Sequence, residues 1–386
     1  MDFHDTAAVP GTNGWKAWLA YADQLTKAGD LRGEAIRLEH HGETRGGDPA
    51  RAAEAYREVE RRLGLDGLRA DGSWEFTWSR GFIDEARFRL AADTRSDRGE
   101  LVGRLPADHA HTATTDPADP ERWEGALIDA LLSHPAARRL RSLELHLTDY
   151  HHSAERAALS LAARERPRLE HLYFGYDFTY LFEHSEGSAG SRIQPLNHHD
   201  RGLVQTDIWG SLPALRSVEI EGAFLFHFVR LDGPARLRIR GSVISDGSLF
   251  GLGWTSGVES LEVEIGSDVF GCCPSIEQLD ELTADQYPGL RRLDLSGAEF
   301  DAPVHEVLSV LADSSVLARL TEVRVGELVI EGEECGGDPS AALAGLASRY
   351  AHLDLYVDLL HVEGVEDEEV ARILAGFGPK GIRVGE

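Results

Sequence analysis

The stretch that decides the fold reads Leu140-Arg-Ser-Leu143-Glu-Leu145, with leucine at its first, fourth and sixth positions. The same spacing, with other apolar residues allowed for leucine, recurs in Leu169-Glu-His-Leu172-Tyr-Phe174, Leu215-Arg-Ser-Val218-Glu-Ile220, Val258-Glu-Ser-Leu261-Glu-Val263 and Leu290-Arg-Arg-Leu293-Asp-Leu295. Weaker copies begin at Arg236, Leu320, His352 and Ile382. The later copies lie about 30 residues apart, a spacing typical of a repeated structural unit.

Amphipathic stretches that predict helices lie between several copies of this motif. They run from Trp123 to Ser133, Ala154 to Arg164, Ile276 to Thr283, Val304 to Ala312, Ala341 to Tyr350 and Glu368 to Ala375. One strand and one helix cannot bury both of their apolar faces, so neighbouring units must stack. The sequence therefore predicts an α/β leucine-rich-repeat solenoid, a horseshoe, with a small helical module at its N-terminus.

The N-terminal part has a different periodicity. Residues 15–41 predict a helical pair broken at Gly29-Asp30, and residues 51–63 predict a further helix that ends at Gly64. Residues 74–90 alternate bulky and polar side chains and break at Arg80-Gly81, which predicts two strands joined by a turn. We therefore expect a helical capping module over residues 1–70 and a repeat array over 71–386, with a long insertion at about 176–210.

Two N-terminal motifs carry a family resemblance. Residues 18–38 contain Tyr21-Ala-Asp-Gln-Leu25, Gly29-Asp30 and Arg32-Gly-Glu-Ala-Ile-Arg-Leu38. This stretch resembles the bacterial repeat-companion domain, a short module found ahead of repeat arrays. Trp78-Ser-Arg-Gly-Phe82 stands where such proteins have a WxxGF-like element before their leucine-rich repeats. The resemblance implies a protein-interaction module and carries no catalytic residues.

Charge and motifs narrow the classes of partner. The chain has 66 acidic against 39 basic side chains and a formal net charge of −27. Such a charge repels phosphate backbones and anionic lipid and favours a basic protein partner. The sequence shows neither a signal-peptide pattern nor an apolar run long enough to span a membrane, so we expect a cytoplasmic protein.

The binding residues should lie on the strands of the repeats. Side chains alternate along a strand, so the residue between the last two apolar positions of each motif, and the residue just after the last one, face away from the buried core. The expected partner-binding residues are Glu144, Tyr173, Glu219, Glu221, Arg238, Glu262, Glu264, Asp294, Arg324 and Asp354. A charged face of this kind either recognises a protein or simply keeps an exposed sheet in solution.

Motifs for catalysis or ligand binding are lacking in the sequence. Paired histidines occur, but no HExxH or CxxC with HxxxH spacing accompanies them, and neither a nucleophile elbow nor a phosphate-binding glycine loop is found. We therefore expect no catalytic residues, no metal site and no small-molecule cofactor. The alternative is a metal-dependent or hydrolytic enzyme that uses His198-His199-Asp200 in the long insertion.

The expected function is that of a protein–protein interaction scaffold or inhibitor. One version is regulatory sequestration, in which an acidic concave face covers a basic surface of a sigma factor or of a protease. Another alternative is a regulatory substrate that a protease cleaves in the segment from Gly187 to Ser191.

Overall fold

The computed structural model describes most of the chain. The described residues are 9–11, 14–69, 72–89, 120–147, 153–176, 204–222, 226, 229–233, 235–241, 253–266, 273–333, 337–377 and 380–385. They form a mixed α/β structure with one open, mostly parallel sheet of 11 strands and a second sheet of two strands. Two compact units contribute to it, the first comprising Met1–His184 with Thr206–Ala214 and the second Ser185–Gln205 with Leu215–Glu386. The predicted division at residue 70 remains a prediction.

The first unit begins with helices and continues with strands. Its helices are α1 Trp15–Lys27, α2 Arg32–Arg45, α3 Pro49–Leu63, α4 Asp66–Arg69, α5 Pro120–Ser133 and α6 Ser153–Ala162, with 3-10 helices at Pro135–Arg139 and Trp209–Ser211. Its strands are β1 Trp74–Ser79, β2 Phe82–Arg89, β3 Ser142–Leu147 and β4 His171–Tyr176. Strands β1 and β2 are antiparallel, whereas β2, β3 and β4 are parallel.

Local signals define the helices of the N-terminal module. Asp48 caps α3 by accepting the backbone N–H of Ala50 at 2.9 Å, and Pro49 occupies the first helical turn. The helix ends at Gly64, whose φ of 72° a residue with a side chain rarely adopts. Helices α1 and α2 bury one face each around a cluster of Trp18, Tyr21, Ala22, Leu25, Ile36 and Phe82. The helices predicted at residues 15–41 and 51–63 are thus confirmed.

The turn between β1 and β2 is tight and packs against α2. Arg80 and Gly81 have φ angles of 53° and 82°, so both central residues are left-handed, as in the two-residue hairpins that match strand twist. A Cβ atom on Gly81 would approach Cδ1 of Ile36 to 3.0 Å. The predicted strand–turn–strand is confirmed, and the turn requires glycine for both its conformation and its packing.

A partly buried carboxylate connects this turn to the helices. Glu39 on α2 accepts hydrogen bonds from the Tyr56 hydroxyl, from the Ser79 hydroxyl at 3.1 Å and from the Arg80 backbone N–H at 2.8 Å. The Gly81 N–H donates to the Tyr56 hydroxyl at 3.0 Å. Burial raises the pKa of Glu39, although these hydrogen bonds act in the opposite direction.

We expect Glu39 to make the stability of the first unit depend on pH. Because its pKa is higher in the folded than in the unfolded chain, its stabilising contribution is full below the unfolded pKa of about 4.3 and is lost as pH rises through the folded pKa. As the pH rises from about 4.3 through the folded pKa of Glu39, the wild type should therefore lose more stability than Glu39→Gln. Urea unfolding at several pH values measures the difference, and Glu34→Gln, at an exposed position of α2, is the control. Parallel pH profiles for the wild type and Glu39→Gln would contradict the prediction.

The second unit alternates strands with helices or loops. Its strands are β5 Ser217–Glu221, β6 Val229–Arg230, β7 Ala235–Gly241, β8 Gly253–Trp254, β9 Val258–Ile265, β10 Arg292–Ala298, β11 Glu322–Ile330, β12 Asp354–Val362 and β13 Gly381–Val384. Its helices are α7 Val304–Asp313, α8 Pro339–Tyr350 and α9 Asp367–Ala375, with 3-10 helices at Ile276–Glu281 and Leu317–Arg319. The short strands β6 and β8 pair with each other in the two-stranded sheet.

The apolar positions of the repeated motif form buried rows across the parallel strands. Leu293 on β10 lies opposite Leu261 on β9 and Val323 on β11, and all three are at most 1% exposed. Full burial of such a side chain contributes about 1.5–3 kcal/mol relative to leaving it exposed. The regular LxxLxL spacing therefore determines which face of each strand is buried.

Most of the helices expected between the motifs are present, with one correction. The stretch from Ile276 to Thr283 was expected to be helical, and the helix present there, Ile276–Glu281, is of the 3-10 type and ends two residues earlier. Ser275 caps it through the backbone N–H of Glu277, and the N–H of Leu282 closes the last turn on the carbonyl of Leu279. A segment of fewer than two α-helical turns gains few i to i−4 hydrogen bonds, so the tighter form is competitive.

Candidate protein-binding site

Charged side chains lie in register on the sheet face opposite the buried rows of the second unit. Glu219 on β5 lies opposite Arg238 on β7, which in turn lies opposite Glu262 on β9. Two residues further along each strand, on the same face, Glu221, Arg240 and Glu264 repeat the arrangement. We call this set, together with Arg236, the charged ladder. Its side chains keep between 13% and 52% of their surface exposed.

Arg238 is the centre of the charged ladder. Its guanidinium group contacts Glu219 at 3.4 Å, Glu262 at 2.9 Å and Glu264 at 2.9 Å. Burial acts to lower the pKa of Arg238, but the carboxylates of Glu262, Glu264 and Glu219 outweigh it and raise that pKa. The strand β7 therefore holds a fixed cation between two acidic strands.

The remaining arginines of the ladder complete its pairing. Arg240 contacts Glu264 at 2.9 Å and Glu221 at 3.4 Å, and Arg236 pairs with Glu262. Three guanidinium groups thus face four carboxylates, which leaves a small negative excess. The four glutamates lie on one face, and each already has an arginine partner within the chain. In this region the face therefore alternates acidic and basic side chains and is not continuously acidic.

Strands β10 to β13 extend this charged face. Asp294 accepts hydrogen bonds from the backbone N–H and the hydroxyl of Ser296, at 2.9 and 2.6 Å. The guanidinium group of Arg324 lies 5.6 Å from the ring centre of Tyr356, a cation–π distance. Arg383 lies 5.8 Å from the same ring and forms an ion pair with Asp354 at 2.6 Å.

The register of β12 corrects one expected position. Asp354 was expected to be the residue between the last two apolar positions of its repeat, but it lies opposite Glu322, and Tyr356 lies opposite Arg324. Asp354 remains on the same face, two residues earlier, and Tyr356 is the residue that the sequence reading missed. The alternation of Leu353, Leu355 and Val357 allows two alignments of the motif. The neighbouring Leu355-Tyr356-Val357 also fits the last three positions of the motif and could have indicated the alignment that the structure shows.

Two of the expected residues lie in the first unit. Glu144 on β3 lies opposite Tyr173 on β4 and Arg87 on β2. Its carboxylate contacts the Arg87 guanidinium at 3.3 Å and the imidazole of His146 at 3.2 Å. The His146 ring stacks on Tyr173 with ring centres 4.2 Å apart. Glu144 and Tyr173 are therefore joined in one polar and aromatic cluster of that unit.

An open groove lies beside the charged ladder. It has a volume of about 710 Å³ and is formed by the first residues of the strands β7, β9, β10 and β11 and by residues just before them. Its charged lining residues are Arg216, Arg236, Arg291, Arg292, Glu259, Glu262, Asp294 and Glu322. Both signs of charge thus continue from the ladder into the groove.

The alternatives that depend on the long insertion concern residues outside those described. These are His198-His199-Asp200, the segment from Gly187 to Ser191 and most of the insertion itself. In the described part of the chain, no group of three or more histidine, cysteine, aspartate or glutamate side chains could hold a metal ion. Within the same residues, the helices are too short or too polar to cross a membrane.

The chain matches no model of a known protein family, and no curated protein matches it. Inference about function therefore rests on the residues and contacts described above.

Proposed function

We propose that this chain is a leucine-rich-repeat solenoid with an N-terminal repeat-companion module, and that it acts as a binding scaffold or inhibitor of another protein rather than as an enzyme. The charged ladder is the observation that carries the proposal. It places charged side chains in register on adjacent strands, partly exposed, opposite a face that is buried. A rigid array of this kind suits recognition of a protein surface.

The ion pairs within the ladder support recognition by preorganisation. Arg238 holds Glu219, Glu262 and Glu264 in place, so a partner need not order these side chains on binding. Neighbouring parallel strands lie about 4.8 Å apart, so the sign of the charge changes over a distance close to one side chain. The partner should therefore carry basic groups over the glutamates and acidic groups over the arginines.

The overall charge favours a basic protein as that partner. A net charge of −27 attracts basic proteins at long range, and the ladder then selects among them at contact. Sequestration of a basic regulator, such as a sigma factor, or of a protease is one version of this function. The cytoplasm is the proposed compartment.

We expect the affinity for the partner to fall when the ladder is altered. The double variant Glu262→Gln/Glu264→Gln removes two carboxylates that face β7 and should weaken binding roughly tenfold or more. Affinity capture from the native host with the wild type supplies the partner, and its dissociation constant is then measured for each variant. Binding by the wild type should also show the steeper dependence on salt.

The control for this experiment changes the same number of charges elsewhere. Glu368 and Glu369 are exposed on α9, so Glu368→Gln/Glu369→Gln alters the net charge equally without touching the ladder. Its affinity should equal that of the wild type. If both double variants bind as the wild type does, the ladder is not the binding surface. If both lose affinity equally, long-range charge alone drives the association.

A further inference from the structure

Three arginines lie against an aromatic cluster in the first unit, and a fourth, Arg168, precedes β4 at the position that Arg139 occupies before β3. Arg80 lies in the β1–β2 turn, Arg138 and Arg139 in the 3-10 helix before β3, and Arg168 three residues before β4. These segments are far apart in sequence. The parallel order of β2, β3 and β4 places them at one edge of the sheet, the edge at which these strands begin.

Cation–π distances show how close three of these arginines are. The guanidinium carbon of Arg139 lies 5.1 Å from the ring centre of Trp18 and 5.6 Å from that of Phe82. The guanidinium carbon of Arg138 lies 4.9 Å from the Phe82 ring, and that of Arg80 lies 5.7 Å from the Trp18 ring. Three cations therefore share two buried aromatic side chains.

The charge balance at this edge is unusual for so acidic a chain. Burial, together with the positive charges of Arg168, Arg138 and Arg80, lowers the pKa of Arg139 to about 10. Nearby arginines have carboxylate partners, since Asp30 pairs with Arg32 at 2.6 Å and Asp84 pairs with Arg141 at 2.9 Å.

Arg139 and Arg168 differ from these paired arginines. Among the residues that the structure describes, neither has a carboxylate within 4 Å. Both are only partly exposed, so solvent screens the repulsion between them incompletely. Like charges held together in this way are destabilising unless an anion joins them.

We propose that Arg139 and Arg168, flanked by Arg80 and Arg138, form a binding site for a small oxyanion, the carboxylate or phosphate group of a ligand. A guanidinium group presents paired N–H donors that match both kinds of oxyanion. A small ligand fits better than an extended polyanion, because the rest of the chain repels long arrays of negative charge. This site is separate from the charged ladder and does not depend on its function.

The probes are inorganic phosphate, citrate and the blocked dipeptide acetyl-Glu-Glu-amide, each added to the full chain at constant ionic strength. The melting temperature and the dissociation constant from calorimetry are measured against sodium chloride. At least one probe should raise the melting temperature above the chloride value. A response to phosphate or citrate identifies a free small acid as the source of the oxyanion. A response to the dipeptide alone identifies an acidic side chain of a protein.

Two variants separate a binding site from simple packing. Arg168→Gln should raise the dissociation constant roughly tenfold, the effect of losing one charge-assisted hydrogen bond. Arg168→Gln should also raise the melting temperature without any probe, because it removes repulsion from Arg139. Arg141→Gln is the matched control, since Asp84 already neutralises that side chain, and it should leave the dissociation constant unchanged.

Three results would overturn the site. One is that no probe raises the melting temperature beyond chloride. Another is that Arg168→Gln and Arg141→Gln weaken binding equally, which would indicate a diffuse effect of charge. The third is that Arg168→Gln lowers the melting temperature without a probe, which would make the cluster a packing element.

Discussion

Replacement of Asp30 by asparagine is expected to lower the free energy of unfolding of the first unit by about 3–5 kcal/mol. Asp30 and Arg32 form an ion pair at 2.6 Å in which the two side chains are 4% and 0% exposed. The variant removes the carboxylate charge that lies against the buried Arg32 guanidinium group. Because water cannot reach the Arg32 charge, the unfolded state, in which it is solvated, becomes relatively more favourable.

The same carboxylate also organises the start of α2. It accepts the backbone N–H of Arg32 at 3.0 Å, so it fixes the chain between α1 and α2 as well as the charge. Asparagine can retain this backbone hydrogen bond through its amide oxygen, so the loss measured in Asp30→Asn should report mainly on the charge.

Asp23→Asn is the matched control for this prediction. Asp23 pairs with Arg37 at 2.7 Å on the surface of the same module, with side chains 62% and 40% exposed. Exposed pairs contribute about 0–1 kcal/mol, so the control should unfold close to the wild type in urea. Equal urea midpoints for Asp30→Asn and Asp23→Asn would show that burial of the Asp30–Arg32 pair has no energetic consequence.

Arg238→Gln should have the second largest effect, a loss of about 2 kcal/mol in the stability of the second unit. Without the guanidinium group, Glu219, Glu262 and Glu264 repel one another across β5 and β9. The estimate lies below that for a fully buried pair because the ladder is partly exposed and solvent screens it. Added salt should therefore recover part of the loss.

Comparison with Arg292→Gln distinguishes the ladder from an ordinary surface pair. Arg292 is 68% exposed and approaches Glu322 only to 3.8 Å, so its loss should be close to neutral. The double variant Arg238→Gln/Glu219→Gln should be more stable than Arg238→Gln, since it removes one of the three carboxylates that repel one another once Arg238 is replaced. If Arg238→Gln and Arg292→Gln unfold at the same urea concentration, the ion pairs of the ladder contribute no stability.

Local periodicity was sufficient to predict most elements of the fold. Residues such as Leu293 and Val323 follow the repeated motif, and the predicted face is the buried one. The contacts of the site depend on register, which periodicity alone leaves ambiguous. The repeat that contains Leu353 fits the motif in two alignments, and only pairing with β11 places Tyr356 beside Arg324.

The arginine cluster and the neutralised ladder could not be predicted in the same way. Arg80, Arg139 and Arg168 are separated by long stretches of chain, and no local pattern indicates that Arg80 and Arg139 lie against the same ring, that of Trp18. The glutamates of β5 and β9 were visible as an acidic pattern. That Arg238 reaches three of them follows only from the order of strands, in which β7 lies between β5 and β9.

The alternation of acidic, basic and acidic side chains across β5, β7 and β9 also disfavours incorrect pairing of strands. Repeats with nearly the same apolar motif can exchange places in a folding intermediate with little change in buried leucine or valine. If β5 paired directly with β9 and omitted β7, Glu219 would face Glu262 and Glu221 would face Glu264, and like charges directly opposite one another are destabilising. The correct neighbour instead supplies an arginine at each position. The alternating charges thus distinguish strands whose apolar residues are nearly the same. They favour the correct order of strands during folding.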